Sequence, residues 1–246
     1  MSRRRSLLLG WTLAVLVIAL FVRLGFWQSE RGVEKQAMLD TATRVLDARQ
    51  PVMLAAAADP DRVDTYDWAA GRGRFDQRDA LLLDNQQRDG RSGVRAYRIF
   101  LPEQGGPLLV DLGWLPLGGA RVLPVIERPE GTVELRGLLA PPPAVGIALG
   151  AALARDGDGW LMTRVDPGAI ASVTGLSVPL APRVLRLDPA LPLGFDRDLE
   201  LLANTLPPAK HQGYAVQWFA LALAVLVTAL ILTLRRSIKP ARGASK

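Results

Sequence analysis

Cysteine is absent from this 246-residue chain, and histidine occurs once. Without cysteine there is no disulfide staple, no thiolate metal site, no prosthetic group tethered through a Cys pair and no Cys nucleophile. One histidine cannot build a multi-His metal centre. A glycine-framed nucleophilic serine and a phosphate-cradling loop with a lysine are missing as well. These absences remove the usual catalytic constellations, and the expectation is that the chain is not an enzyme. Asp156 and Asp158 in DGDG form the one carboxylate pair that invites an acid and base reading. That spacing more commonly caps a solvated turn. A carboxylate or Ser-Lys hydrolase is the residual alternative.

Acidic residues are absent from both ends. Arg3, Arg4 and Arg5 open the chain, and Arg235, Arg236, Lys239, Arg242 and Lys246 close it. Eight of the 30 Lys and Arg therefore lie in the tails and none of the 24 Asp and Glu does, leaving 22 bases against 24 acids between, a net of −2. The overall +6 thus reports tail composition and gives no reason to expect a nucleic-acid partner.

Charge is also missing from two long internal stretches, Ser6 to Val22 and Gly213 to Leu234. The second has 22 residues, which at about 1.5 Å each cover the hydrocarbon core of roughly 30 Å. The first is shorter, but Arg23 can snorkel to the head groups and let the span reach Phe26. Two readings of it compete, a cleaved signal peptide after the Arg triplet and a permanent anchor. No small-x-small cleavage site follows, since RLGFWQSER occupies that place, which favours the anchor. The positive-inside rule then places both tails in the cytoplasm and everything between on the far side. The expected organisation is a cytoplasmic tail at 1–6, a transmembrane helix at 7–26, a periplasmic domain at 27–212, a second transmembrane helix at 213–234 and a basic cytoplasmic tail at 235–246.

Beyond Arg23 the helical pattern continues to about residue 49, with Val33, Met38, Ala42, Val45 and Leu46 near a helical repeat. Gly32 weakens it locally, and Pro51 ends it ahead of a loop at AAAADPDR. Short apolar runs follow: ALLLDNQ, VRAYRIFLP, PLLVDLGWLP, TVELRGLLAPP, GWLMTRVD and VLRLDP, separated by Gly and Pro clusters. The first two flank Asp89, Gly90, Ser92 and Gly93 and predict a hairpin with a loop longer than two residues. Residues 144–158 read as the most irregular stretch. The expected fold is an α+β membrane protein in which two transmembrane α-helices flank a mainly antiparallel β domain, a curled sheet or an open barrel.

The lone histidine, His211, lies in KHQGYAVQWF at the entrance to the second apolar stretch. On a helix beginning there, Tyr214, Ala215 and Trp218 follow at i+3, i+4 and i+7 on its face. Tyr and Trp are common at that level as interface anchors, and a histidine near a helix start is often only solvated. The functional alternative is a membrane-resident ligand that takes one nitrogen donor and apolar ring contacts, which suits haem better than copper. On the other helix Arg23, Trp27, Arg31 and Lys35 recur every four residues as a basic stripe with one aromatic. Those cations suit lipid phosphates, the commoner case, or haem propionates, and Trp27 and Arg31 of this stripe are candidate cofactor-binding residues beside His211, Tyr214 and Trp218.

Taken in order, LGFWQSER at 24–31 with Lys35 after it, RSGVRAYRIFLP, LLVDLGWLP at 108–116, VELRGLLAPP and HQGYAVQWF form a pattern that resembles the Surfeit locus protein 1 family. These are cytochrome c oxidase assembly factors with two inner-membrane spans and an external domain. The resemblance covers most of the chain. It implies assistance in maturing oxidase subunit I, by receiving haem a or passing it on, with His211 at the family's proposed iron ligand and no catalytic residue. Subunit I and the haem a synthesis machinery are the implied partners, beside the membrane lipid expected from the basic stripe. The expected location is a bacterial inner membrane, since no Arg-rich, Ser-rich amphipathic leader stands before the first span. The alternative within the same family role is a scaffold that stabilises a subunit I intermediate without binding haem. One departure is visible: Leu112 stands where the family usually has Arg before the Gly-Trp pair, while Trp114 and Pro116 are kept.

Overall fold

A computed structural model describes residues 3–118, 122–144, 150–157, 159–201 and 206–238. The chain divides into two compact units. One comprises Met1–Asp40 with Leu202–Lys246, and the other is Thr41–Leu201.

The first unit holds two long apolar helices. Helix α1, Arg3–Ala48, is uninterrupted, although Gly32 costs about 1 kcal/mol relative to alanine in a helix interior. It ends where Arg49 turns to a φ of 43°, two residues before Pro51, a residue that cannot continue a helix. The last helix runs Pro208–Ile238 and starts on a proline, whose missing N–H is no loss in a first turn. Each is long and apolar enough to cross a membrane by length and composition. The two are antiparallel. Trp11 Nε1 donates to Thr233 Oγ1 at 3.1 Å, Phe21 lies 5.4 Å from Trp218, and Gln28 meets His211, so rising numbers on one helix meet falling numbers on the other.

The second unit is built on nine strands among the described residues: β1 Val52–Met53, β2 Asp67–Phe75, β3 Leu81–Arg88, β4 Arg91–Pro102, β5 Leu108–Pro116, β6 Val133–Ala140, β7 Leu153–Asp156, β8 Gly159–Met162 and β9 Val184–Leu187. Their order is β1-β2-β6-β9-β5-β4-β3-β8-β7, and β2 also pairs with β4. That extra pairing, Gly73–Phe75 against Phe100–Pro102, closes β2, β6, β9, β5 and β4 into a ring. Closure brings backbones very close at Gly73, where a Cβ would stand 2.3 Å from the Leu101 carbonyl oxygen.

The sheet is mixed, which corrects the expected mainly antiparallel domain. β1–β2, β3–β8 and β5–β9 are parallel. The parallel pairs arise where the chain returns through long crossovers. One of these carries the short helix α2, Pro167–Thr174, capped by Asp166 at its start and by Gly175 in the left-handed conformation at its end. The β3–β4 loop is also tighter than expected. Arg88 pairs with Arg91, leaving only Asp89 and Gly90 between, both with positive φ, as a type I′ turn requires.

Two apolar layers result. Phe75, Val94, Phe100, Leu108, Val110, Leu112, Leu135, Leu139 and Leu185 fill the ring. Tyr97, Ile99, Leu109, Met162, Ile170 and Val184 pack on the other side, where α2 covers the sheet. The irregular stretch expected at 144–158 contains the β7–β8 hairpin, and residues 145–149 and Asp158 of it lie outside the described residues. So does the distal tail from 239.

Candidate functional site

Helix α3, Pro208–Ile238, places His211 in its first turn, so Tyr214, Ala215 and Trp218 do follow at helical spacing. Ala215 is buried, Tyr214 is 39% exposed, and the Trp218 ring lies 5.4 Å from Phe21 at 39°. On the opposing helix Phe21, Gly25, Gln28 and Gly32 recur at spacings of four, three and four, a single stripe. Each meets α3. The Phe219 ring covers Gly25 and packs edge-on to Phe26 at 5.4 Å. A Cβ on Gly32 would be 3.5 Å from both the Pro208 carbonyl oxygen and the His211 Cβ. Gln28 Oε1 is 2.8 Å from His211 Nδ1.

The sequence-predicted residues separate on this geometry. His211 and Trp218 face α1. Trp27 is 50% exposed, and Arg31 is an exposed cation paired with Glu34 at 2.7 Å, one turn further along its own helix. Among the described residues no hydrogen bond or ring stacking joins Tyr214, Trp27 or Arg31 to His211. Gln28, Phe21 and Phe219 were missed. The face that Phe21, Gly25, Gln28 and Gly32 share on α1 is offset from the cationic stripe at 23, 27, 31 and 35, and it becomes distinctive only once α3, which carries Phe219, lies against it.

The donor set can be tested against a haem, which asks for one axial nitrogen and apolar ring surface. His211 Nδ1 is engaged by Gln28, its Nε2 has no protein partner among the described residues, and aromatic rings stand within two turns. The residues fit. No group of three or more His, Cys, Asp or Glu able to hold a metal ion by themselves occurs among the described residues.

A second polar cluster lies in the β unit. Arg95 pairs with Asp111 at 3.1 Å, Arg88 with Asp196 at 3.0 Å and Asp198 at 2.7 Å, and Arg186 with Asp198 at 3.8 Å. Burial pushes the Asp111 carboxyl above the ordinary carboxylate range, against the pull of Arg95, Arg186 and the Gly113 N–H. Burial and then Asp111 likewise raise the Tyr97 phenol, whose buried hydroxyl has no hydrogen-bond partner among the described residues. Perturbed groups can mark a reactive site. Here every carboxylate faces an arginine, and the cluster serves as internal ion pairing. Trp114 is 5% exposed, with its indole N–H donated to the Gln86 carbonyl at 3.0 Å and the Arg91 guanidinium 5.3 Å over its ring. Leu112 points into the apolar ring, so the position that usually carries a cation in the resembled family is core here.

No curated protein matches this chain. Residues 15–223, which include both helix-borne stripes and all nine strands, match the SURF1 family. Covering most of the chain, that match shows that the protein belongs to the SURF1 family of cytochrome c oxidase assembly factors.

Proposed function

We propose that this assembly factor handles haem a on its way to oxidase subunit I, with His211 as the iron ligand. The observation that carries this reading is the single imidazole with Nδ1 engaged by Gln28 and Nε2 without a partner among the described residues. A bound haem would present iron for axial ligation and an apolar macrocycle with two anionic propionates. His211 supplies the nitrogen, and Trp218 and Tyr214 offer ring surface at i+7 and i+3. Arg23 and Arg31 are available to the propionates. Arg31 can leave Glu34, since an exposed ion pair of this kind holds about 1 kcal/mol or less. Trp27 lies between them on the same stripe. A carrier must release its cargo, and a single protein ligand suits that better than a closed pocket would.

The same reading places both helices across a bacterial inner membrane, with the termini cytoplasmic and Thr41–Leu201 on the periplasmic side. Its support is the outward apolar surface of both helices, such as Leu8, Leu13, Leu16 and Leu20 on one and Val216, Leu223 and Leu234 on the other. The antiparallel pairing brings the basic ends of both helices to one side, as the positive-inside rule asks. No step of the proposal involves catalysis by the chain.

The test is to express the protein in cells that make haem a, purify it in mild detergent, and compare its visible spectrum with that of His211→Ala. A haem a spectrum lost in the variant, together with lower haem content in the oxidase, supports the carrier role. Haem absent from both proteins, with oxidase assembly still dependent on the chain, assigns it instead to a scaffold acting on subunit I.

A further inference from the structure

The chain has one histidine, and one neighbouring side chain fixes its ring. An amide oxygen only accepts, so at 2.8 Å from Gln28 Oε1 the His211 Nδ1 carries the hydrogen, and Nε2 keeps its lone pair. We propose that Gln28 is a positioning residue that locks His211 in the Nδ1–H tautomer and, as a neutral amide, keeps Nε2 a donor weak enough to let its ligand go. The second half of this inference rests on the haem reading above, while the first concerns the ligand-free protein.

Three features support the lock. Gln28 belongs to the stripe with Phe21, Gly25 and Gly32, each of which meets α3, so its side chain starts from a face already held against the imidazole's own helix. The helices also meet one turn beyond Gln28, where a Cβ on Gly32 would be in ordinary contact with the His211 Cβ at 3.5 Å, so the imidazole's own residue is held against α1. The hydrogen bond joins residues 183 positions apart, so it forms only when the two helices pair, and the tautomer is then a property of the folded hairpin.

The tuning follows from the chemistry of the partner. A histidine that ligates a metal commonly gives its other N–H to a carboxylate, which makes the ring more basic and the metal bond stronger, and loss of such a partner costs about 10- to 100-fold in affinity. Gln28 supplies the orientation of that arrangement without its charge. A glutamate at 28 has the same reach, and it converts a releasing ligand into a retaining one.

The experiment uses full-length protein in detergent, labelled with ¹⁵N-histidine. With one imidazole in the chain, the two ring nitrogens are assigned without ambiguity. In the neutral ring, wild type is expected to show a protonated Nδ1 and a bare Nε2, and Gln28→Met to show a mixture of tautomers. Titrated with haem a, Gln28→Met should bind about tenfold or more weakly than wild type, and Gln28→Glu should release haem about 10- to 100-fold more slowly. A wild-type ring protonated on Nε2, or a Gln28→Met protein identical in both nitrogen pattern and haem affinity, overturns the inference. Equal haem release from Gln28→Glu and wild type overturns the tuning alone. If wild type binds no haem a, the carrier reading and the tuning fall together, and the nitrogen signals still decide the tautomer lock.

Discussion

Arg183 donates to Asp67 at 2.6 Å, with the arginine fully enclosed and the carboxylate 8% exposed. The same guanidinium reaches Thr65 Oγ1 at 3.3 Å and the Ala56 carbonyl, and Arg62 shares the Asp67 carboxylate. One buried cation thus ties β9 to β2 and to the turn that precedes it. Removing one partner of a buried pair strands a charge, which costs about 3–5 kcal/mol, whereas apolar replacement of both is often close to neutral. Asp67→Ala is therefore expected to lower unfolding free energy by about 3–5 kcal/mol, and Asp67→Leu with Arg183→Met by much less. Denaturant unfolding followed by tryptophan fluorescence checks this. A double variant as unstable as the single one would show that the pair itself stabilises the fold.

Asp188 offers a pH-dependent test. Burial alone would raise its carboxyl, but hydrogen bonds from Arg136 at 2.8 Å and from the Ala190 N–H at 3.0 Å, with the charges of Arg136 and Arg49, hold it below the ordinary range. A depressed folded-state value contributes stability that is present above the unfolded value of 3.8 and lost as pH falls through the folded one. Both arginines are about half exposed, which limits the pair to about 1 kcal/mol. Asp188→Asn should cost that much at pH 7, and the difference from wild type should disappear on acidification below the carboxylate range. Asp111 runs the other way. Its raised value gives a contribution present below 3.8 and lost as pH rises through the folded value, so Asp111→Asn should relatively gain stability toward neutral pH. Urea midpoints measured across pH 2.5 to 7 separate the two, and a constant offset in either variant rules out titration as its cause.

The helices and six of the strands were legible in the sequence because their patterns are long and local. Charge-free runs and Ala- and Leu-rich segments mark α1 and α3, and alternating or continuous apolar runs mark β3 to β6, β8 and β9. β2 was not legible. DWAAGRGRF carries two glycines and two arginines, and it is a strand only because β6 and β4 flank it. Parallel pairing was hidden for the same reason, since register between β5 and β9 is decided some 75 residues apart. His211 and Trp218 stood out by residue type. Gln28 did not, because a glutamine between helices has no signature until the opposite helix is in place.

The helix pairing itself can be tested by cross-linking, and the absence of native cysteine makes the result clean. A Cβ on Gly32 would lie 3.5 Å from the His211 Cβ, at the short edge of the 3.5–4.5 Å range that a disulfide spans. Gly32→Cys with His211→Cys should oxidise to an intramolecular disulfide, seen as loss of both thiols to alkylation and a mass lower by two hydrogens. Gly10→Cys with His211→Cys should keep both thiols, because residue 10 lies at the Thr233 end of the pairing. Free thiols in the first variant, under oxidation that closes a control disulfide, would exclude this helix register.

Membrane placement can be read with single cysteines. Ser177 is exposed in the β unit, and Ser6 lies near the basic end of α1. A membrane-impermeant maleimide applied to intact spheroplasts is expected to label Ser177→Cys and to reach Ser6→Cys only after permeabilisation. Arg23 refines the depth. It lies between Phe21 and Phe26, whose ring partners are Trp218 and Phe219, so it is level with a point five or six residues past Gly213. At about 1.5 Å per residue that is some 8 Å inside the uncharged stretch, within reach of a snorkelling arginine. Arg23→Cys should therefore label far more slowly than Ser177→Cys from outside, although its side chain is exposed on the isolated helix pair. Equal labelling of residues 6 and 177 without permeabilisation would put the α1 terminus and the β unit on one side and end the two-span reading; fast labelling at 23 would instead move the bilayer toward the Thr233 end of the helices.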